Sequence, residues 1–332
     1  DHGHFIGGRC GHYRGGHPRP RSQLGFPMRR GVIDIGTNSV KLLIADLHGE
    51  SISPQLETSR QTRLGSGLYA EGKLQAEPIH ATVVAVNELI LLANRQDCTN
   101  ISIIATSAVR EALNSGELLG MLGQAVRILS SDDEACLAFS GVTTDPHLAK
   151  QKIVVLDTGG GSTEFIVGDA DGMRFHLSLS LGSVRLMESH AISDTPSAGE
   201  LAAVRESIDT QLRTRAMHGL RRQIVELGRA REVKMVATGG MAGIFAKMEL
   251  GMEDYDRERI EAVELSFERV MAWREKLWEL PLSQRVEIAG LPANRADVAL
   301  FGSLIYEQAM RQLGFCALRV STRGIRFGVL RS

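Results

Sequence analysis

Short apolar runs separated by glycine- and serine-rich turns dominate the chain from Gly31 onward. The first unit reads as strand, tight turn, strand: Gly31-Val32-Ile33, then Asp34-Ile35-Gly36-Thr37-Asn38-Ser39, then Val40 to Ala45. Apolar positions at helical spacing predict a helix over residues 78–95. Ile101–Ala105 predicts a strand running into a helix near Ser107–Leu113, and Val126–Leu129 a strand followed by a helix over Asp132–Val142. The stretch 143–151 is polar and contains Pro146, so it is the expected division between two halves. A second strand-turn-strand unit follows at once: Ile153 to Leu156, the turn Asp157-Thr158-Gly159-Gly160-Gly161-Ser162, and Thr163 to Val167. Amphipathic helical stretches cover 197–230 and 256–279. A strand over Val233–Ala237 ends in Thr238-Gly239-Gly240, and a helix over 296–313 precedes a last strand at Ala317–Val320.

Strands alternating with helices place the chain in the α/β class. Its 332 residues exceed one ordinary core and suit two units of about 150 residues each. The expected organisation is a leader over 1–28, a first domain over 29–146 and a second over 147–332, with the last C-terminal segment free to pack back on the first. The leader is rich in Gly, His and Arg and lacks apolar periodicity, which predicts disorder. Met28, just before the first strand, is an alternative start. His2, His4, His12 and His17 match no compact ligand spacing and read as a solvated tail.

Composition narrows the function. Aromatic residues are 5% of the chain, so the core is aliphatic and stacking on nucleobases is not expected to dominate binding. No apolar run approaches the roughly 18 residues of a membrane helix, and no secretory leader is visible, so no membrane partner is expected. Cys10, Cys98, Cys136 and Cys316 are scattered, which suits reduced thiols in a cytoplasmic protein. The net charge is −1, yet residues 1–30 hold six Arg and a single Asp, so the remaining body is acidic. That argues against nucleic-acid binding. A polyanionic substrate would require cations gathered in a cleft.

The two strand-turn-strand units form an internal repeat: Asp34, Gly36 and Ser39 recur at the spacing of Asp157, Gly159 and Ser162. Two such halves facing each other suit an extended anion gripped from both sides. Glycines permit positive φ, so successive amides can point into one concavity that binds phosphate oxygens, with Ser39, Ser162 and Thr163 adding hydroxyls. The aspartate heading each turn would repel phosphate and is better placed to hold a divalent cation, with Glu164 close by. Asp-x-Gly alone is common in hairpin turns. Three consecutive glycines followed by Ser162 and Thr163, repeated in outline at Asp34, make the sharper signal.

Three strand ends carry further polar groups. Thr106-Ser107-Ala108-Val109-Arg110 opens a helix beside a cation, and Thr238-Gly239-Gly240 does the same in the second half. Both are equally compatible with ordinary helix caps. In Ser130-Ser131-Asp132-Asp133-Glu134-Ala135, acidic residues suit a first helical turn, and one carboxylate could face a cleft and act as general base. Spacing does not choose among Asp132, Asp133 and Glu134.

The runs Ile33-Asp34-Ile35-Gly36-Thr37-Asn38-Ser39, Asp157-x-Gly-Gly-Gly-Ser-Thr-Glu164 and Ser107-x-x-Arg110-x-Ala-x-Asn114 together resemble the exopolyphosphatase/guanosine pentaphosphate phosphohydrolase (Ppx/GppA) family, over essentially Arg30 to Arg331. The resemblance implies two ribonuclease-H-like domains flanking a cleft, as in the superfamily of actin, heat-shock chaperones and sugar kinases. It implies release of a terminal phosphate from polyphosphate or from pppGpp. Glu134 matches the family's catalytic base. Asp157 and Glu164 match its divalent-metal carboxylates, with magnesium as the expected ion. Gly159, Gly160, Gly161, Ser162 and Thr163 match its phosphate loop. Arg110 matches a cleft arginine, and Gly239 and Gly240 a glycine loop on the far wall. Gly36, Asn38 and Ser39 form the opposite grip.

Ser131 and Asp133 depart from the family's Ser-Gly-x-Glu-Glu-Ala run, Thr158 replaces an aliphatic residue, and Phe327 stands where the family usually has glutamate. The chain resembles the short form without the helical HD-type domain, which favours short polyphosphates. A weakly catalytic (p)ppGpp- or ADP-binding regulator is the alternative from another class. A homodimer is compatible with the sequence.

Overall fold

The computed structural model describes residues 28–228 and 232–332. The expected leader and its four histidines lie outside the described residues, except that Met28 already begins the first strand.

The first half runs β1 (Met28–Ile35), β2 (Ser39–His48), β3 (Ser51–Gln61), α1 (Leu68–Glu71), α2 (Ala76–Arg95), β4 (Asn100–Ala105), α3 (Ser107–Glu111), α4 (Ser115–Leu122), β5 (Arg127–Ile128) and α5 (Ser131–Val142). Its sheet has the order β3-β2-β1-β4-β5. The first three strands are antiparallel, and β4 and β5 run parallel to β1. The second half runs β6 (Lys152–Thr158), β7 (Thr163–Asp169), β8 (Gly172–Leu179), α6 (Ser183–Ser189), α7 (Ala198–Leu212), α8 (Arg215–Leu227), β9 (Val233–Thr238), α9 (Gly240–Leu250), α10 (Arg257–Glu261), β10 (Glu264–Ser266), α11 (Phe267–Glu279), α12 (Leu282–Arg285), α13 (Ala296–Leu313), β11 (Ala317–Val320) and α14 (Ile325–Arg331). Read from β8, its sheet is β8-β7-β6-β9-β11 with β10 added at the edge. Strand order and directions match those of the first sheet. The repeat seen in two turns therefore extends to two whole sheets, in the expected ribonuclease-H-like arrangement.

The central strands explain themselves. Val32 and Ile33 of β1, and Ile153 to Leu156 of β6, are fully buried on both faces, as expected where helices cover a sheet on each side. Three strands were absent from the sequence reading, β3, β8 and the short β10. β3 is a polar edge strand that tolerates Pro54 because its outer side needs no ladder bonds. β8 is the opposite kind of miss, a mixed run (Gly-Met-Arg-Phe-His-Leu-Ser-Leu) at the other sheet's edge. The expected helix over 197–230 breaks at Arg213-Thr214 into α7 and α8, and that over 256–279 is interrupted by β10. By length and composition α2 would suffice to cross a membrane, contrary to the sequence expectation. Instead Ile79, Ala85, Val86, Leu89 and Ala93 pack into the first core.

The halves exchange covering helices. α5 lays Ala135, Ala138, Phe139 and Val142 against Ile153, Val155 and Ile166 of the second sheet. α14 lays Phe327 and Leu330 with Val32, Leu43 and Ala45 of the first. The division expected at 146/147 follows α5, whose packing already belongs to the second sheet. The two helices cross at glycines. A Cβ on Gly141 would lie 2.0 Å from the Gly324 carbonyl oxygen, and one on Gly328 would lie 2.0 Å from that of Leu137.

Backbone atoms cannot yield as side-chain ends can, so Gly328→Val is expected to destabilise the protein by at least the ~1–3 kcal/mol typical of overpacking. Denaturant unfolding of the purified variant measures this, and an unchanged midpoint would show that the crossing has slack.

Candidate active site

Both repeat turns open into one cleft of about 600 Å³ between the sheets. Each is closed by the same bond, the Gly36 amide donating to the Ser39 carbonyl at 3.1 Å and the Gly159 amide to the Ser162 carbonyl at 2.9 Å. Gly239 and Gly240, at the end of β9, complete the far wall.

The loop after Asp157 presents its amides by a route other than the expected one. None of Gly36, Gly159, Gly160 and Gly161 has a φ in the left-handed region. Instead, the loop's carbonyls are drawn outward. Gly159 accepts from the Ser183 amide (3.1 Å), Gly160 from those of Val184 (2.9 Å) and Arg185 (3.0 Å), and Gly161 from Arg185 Nε (2.8 Å). In a planar trans peptide the N–H points opposite to the C=O. The amides of Gly160, Gly161 and Ser162 are thereby turned away from α6. Among the described residues no acceptor takes them. The same logic applies at Asn38, whose amide shares a peptide with the Thr37 carbonyl, an acceptor for Gly65 at 2.7 Å.

Glycine is needed here for space. A Cβ on Gly161 would lie 2.2 Å from the Tyr69 hydroxyl and 2.4 Å from Ser107 Oγ, both from the first half. Gly239 does require glycine for conformation: φ is +91°, and a Cβ would meet Asp157 Oδ1 at 2.6 Å.

Five carboxylates line the cleft: Asp34, Glu57, Glu134, Asp157 and Glu164. Burial pushes Glu134 up to about 7, against the downward pull of Arg110. Burial likewise pushes Asp157 up to about 6, with Lys41 pulling it back. Glu164 lies well above the ordinary range through burial and the nearby charges of Glu134 and Asp157, although Ser178 Oγ donates to it at 2.9 Å. Helix geometry separates the three acidic residues of the first turn of α5. Asp133 closes the capping box with Ser130, Asp132 is half-exposed beside His176 (3.3 Å), and Glu134 is buried facing the cleft.

The structure gathers Gly36, Asn38, Ser39, Glu134, Asp157, Gly159 to Ser162, Glu164, Gly239 and Gly240 around one space. Two expected phosphate ligands are not on its wall. Arg110 is engaged by Glu134 and donates to the Leu129 carbonyl at 2.8 Å. The Thr163 hydroxyl is buried and spent on the Leu181 carbonyl at 2.5 Å.

Sequence reasoning missed the cations that do line the cleft: Lys41, Lys247, Arg295 and Arg326. Arg295 donates to Ser39 Oγ at 2.8 Å, and burial brings it down to about 10. Arg326 donates to the Leu42 carbonyl and pairs with Glu57, each at 3.2 Å. Lys41 had a visible signal, a lysine inside the apolar strand Val40–Ala45. The arginines had none, because they arrive from distant segments. Phe327 is fully buried, with Arg257 and Arg323 over its ring at 4.8 and 5.6 Å. Glu57, from β3, pairs with Arg257 as well as Arg326.

Among the described residues no three Asp, Glu, His or Cys side chains form a preformed metal cluster. The donor chemistry nonetheless fits a hard cation. Asp34 Oδ1 is buried without a partner, and neighbouring carboxylates raise one another's pKa.

Comparison with known proteins shows the family of the chain. The profile of the Ppx/GppA phosphatase family matches residues 43–332. The protein named Exopolyphosphatase 2 from Mycobacterium tuberculosis is 30% identical over 322 residues, spanning 92% of this chain and 98% of that protein. The crystal structure of the Aquifex aeolicus family member is 27% identical with a TM-score of 0.73, covering 92% of this chain and 96% of that one. An exopolyphosphatase structure from Cytophaga hutchinsonii, at 24% identity and a TM-score of 0.80, shares the fold over 91% of this chain and 96% of its own.

The raised carboxyls set a pH dependence. Between the ordinary value of 4.5 and about 7 the folded chain holds protons that the unfolded chain has lost, so stability falls as pH rises through this window. In EDTA, Glu134→Gln should flatten this fall and Asp157→Asn should do so over the lower part of the range. Unfolding free energies measured at several pH values check it, and parallel profiles for wild type and both variants would count against buried, perturbed carboxyls.

Proposed function

The chain belongs to the Ppx/GppA phosphatase family, and we propose that it is an exopolyphosphatase that hydrolyses the terminal phosphate of inorganic polyphosphate, with short chains favoured. The observation that carries this reading is the pairing of a buried carboxylate, Glu134, with a set of free loop amides across one cleft. The first is a proton acceptor and the second a phosphate cradle. Phosphoryl transfer requires mainly this kind of positioning and charge neutralisation.

In the proposed reaction, the amides of Gly160, Gly161 and Ser162 hold the terminal phosphate, with Asn38 and Ser39 gripping from the opposite wall. Lys41, Arg295 and Arg326 take the phosphates behind it. A water on the Glu134 side attacks phosphorus in line, Glu134 accepts its proton, and the bridging oxygen leaves with the shortened chain. Arg110 pairs with Glu134 and holds it in place. Asp157 and Glu164 would hold a divalent cation such as magnesium, which would supply charge neutralisation at the phosphate oxygens. The cleft of about 600 Å³ suits a few phosphate units, in keeping with short substrates.

A second reading, pppGpp 5′-phosphohydrolase, draws on one feature. Beyond Lys41 the cleft has an apolar wall of Met241, Ile244, Ile260, Pro292 and Val298, next to Tyr255. Inorganic polyphosphate has no use for such a wall, whereas a nucleoside does.

Phosphate release from tripolyphosphate, long polyphosphate and pppGpp, each with magnesium and with EDTA, decides between them. Tripolyphosphate with magnesium is expected to be the best substrate. Faster release from pppGpp would favour the second reading, and binding without release would identify a regulator. Glu134→Gln should lower turnover ~10²–10⁴-fold with the fold intact. Turnover near wild type would remove Glu134 from the role.

A further inference from the structure

The three carbonyls of the glycine loop are held in two different ways. Those of Gly159 and Gly160 accept from backbone amides of α6, whereas that of Gly161 accepts from a side chain, Arg185 Nε, at 2.8 Å. Glycine lets a peptide rotate with little steric hindrance. The Gly161–Ser162 peptide is therefore the one whose orientation depends on a replaceable group. If it turned over, the Ser162 amide would leave the cleft and a carbonyl oxygen would face the phosphate.

Arg185 is itself fastened from the opposite half. Its Nη2 meets Glu111 Oε2 at 2.5 Å, and its guanidinium lies 3.9 Å from the centroid of the Tyr69 ring. The other oxygen of Glu111 accepts from Ser107 Oγ at 2.6 Å, and Ser107 lines the cleft. Neither Arg185 nor Glu111 lines the cleft. The guanidinium uses one edge on the loop, another on the carboxylate and its face on the ring. A lysine ammonium, a point charge without a planar fork, cannot serve all three.

We propose that Arg185 is a positioning residue that locks the Gly161–Ser162 peptide with its amide toward the cleft, and that it does so only while Glu111 and Tyr69 of the other half hold it. Approach of the two halves and presentation of the last loop donor are then one event. The inference rests on the reading of the cleft as a phosphohydrolase site.

The test compares wild type with Arg185→Met, Arg185→Lys and Glu111→Gln. It records kcat/KM for tripolyphosphate with magnesium, tripolyphosphate affinity by calorimetry in EDTA, and thermal midpoints. Loss of one fixed donor costs about 10²–10³ in kcat where it is complete. Arg185→Met is expected to lower kcat/KM roughly 10–100-fold, since the peptide is released and not removed. Its thermal midpoint should stay close to wild type. Arg185→Lys should recover little, and Glu111→Gln should fall in the same direction by less. Activity of Arg185→Met close to wild type, or full recovery with lysine, would overturn the proposal.

Should Arg185→Met not fold, the near-isosteric Glu111→Gln carries the test: lowered kcat/KM at an unmoved midpoint supports the proposal and unchanged kcat/KM overturns it. Should wild type bind tripolyphosphate without releasing phosphate, the functional reading alone fails. Weaker binding in Arg185→Met would still support the positioning role, and unchanged binding would overturn it.

Discussion

The point on which the molecule turns is the glycine crossing of α5 and α14. Two helices approach so closely there that neither Gly141 nor Gly328 has room for a methyl group. Glu134 sits two turns before Gly141 on α5, and Arg326 sits two residues before Gly328 on α14. The candidate base and one of the cleft's cations are thus carried by the two elements whose separation is most tightly set. A wider crossing would move both, and with them the distance between the groups on either side of a bound phosphate.

Around that point the cleft solves an electrostatic problem. Asp34, Glu134, Asp157 and Glu164, gathered in one cleft, repel one another, and burial of their side chains adds to the cost. Arg110 beside Glu134 and Lys41 beside Asp157 offset this without removing it, as the raised values at both carboxyls show. The resulting site holds both signs of charge close together. It can meet the phosphate oxygens with cations and amides while keeping a carboxylate basic enough to take a proton near neutral pH.

Much of this was legible in the sequence, and the remainder was not, for identifiable reasons. The repeat of Asp34, Gly36 and Ser39 at Asp157, Gly159 and Ser162 is local, so spacing revealed it and the duplicated sheets followed. The central strands announced themselves by apolar runs. The edge strands β3 and β8 did not, because one face or one side is wet and selection for apolar residues is weak there. The glycines at 159–161 were expected for positive φ, which none of them adopts. At Gly160 and Gly161 the lack of a side chain leaves room for Tyr69, Ser107 and Thr37 of the first half, contacts that no local pattern records. Arg110 and Thr163 were expected on the cleft wall because their sequence neighbours lie there, yet they do not line it. Their partners, Glu134 and the Leu181 carbonyl, come from elsewhere in the chain. Phe327, a departure from the family's usual glutamate, became intelligible only once Arg257, Arg323 and Glu57 were seen around it.

The exchange of covering helices also bears on how the chain is made. On the ribosome, the first sheet emerges long before α14, the helix that packs on β1 and β3. Until then one face of that sheet, with Val32, Leu43 and Ala45, lacks its cover, and α5 waits for β6 and β7 in the same way. Each half has a large core of its own but takes a covering helix from the other, so completion of the two sheets is expected to be a late, joint event governed by contacts distant in sequence. The cleft would then come into existence in a single step, already carrying both of its walls.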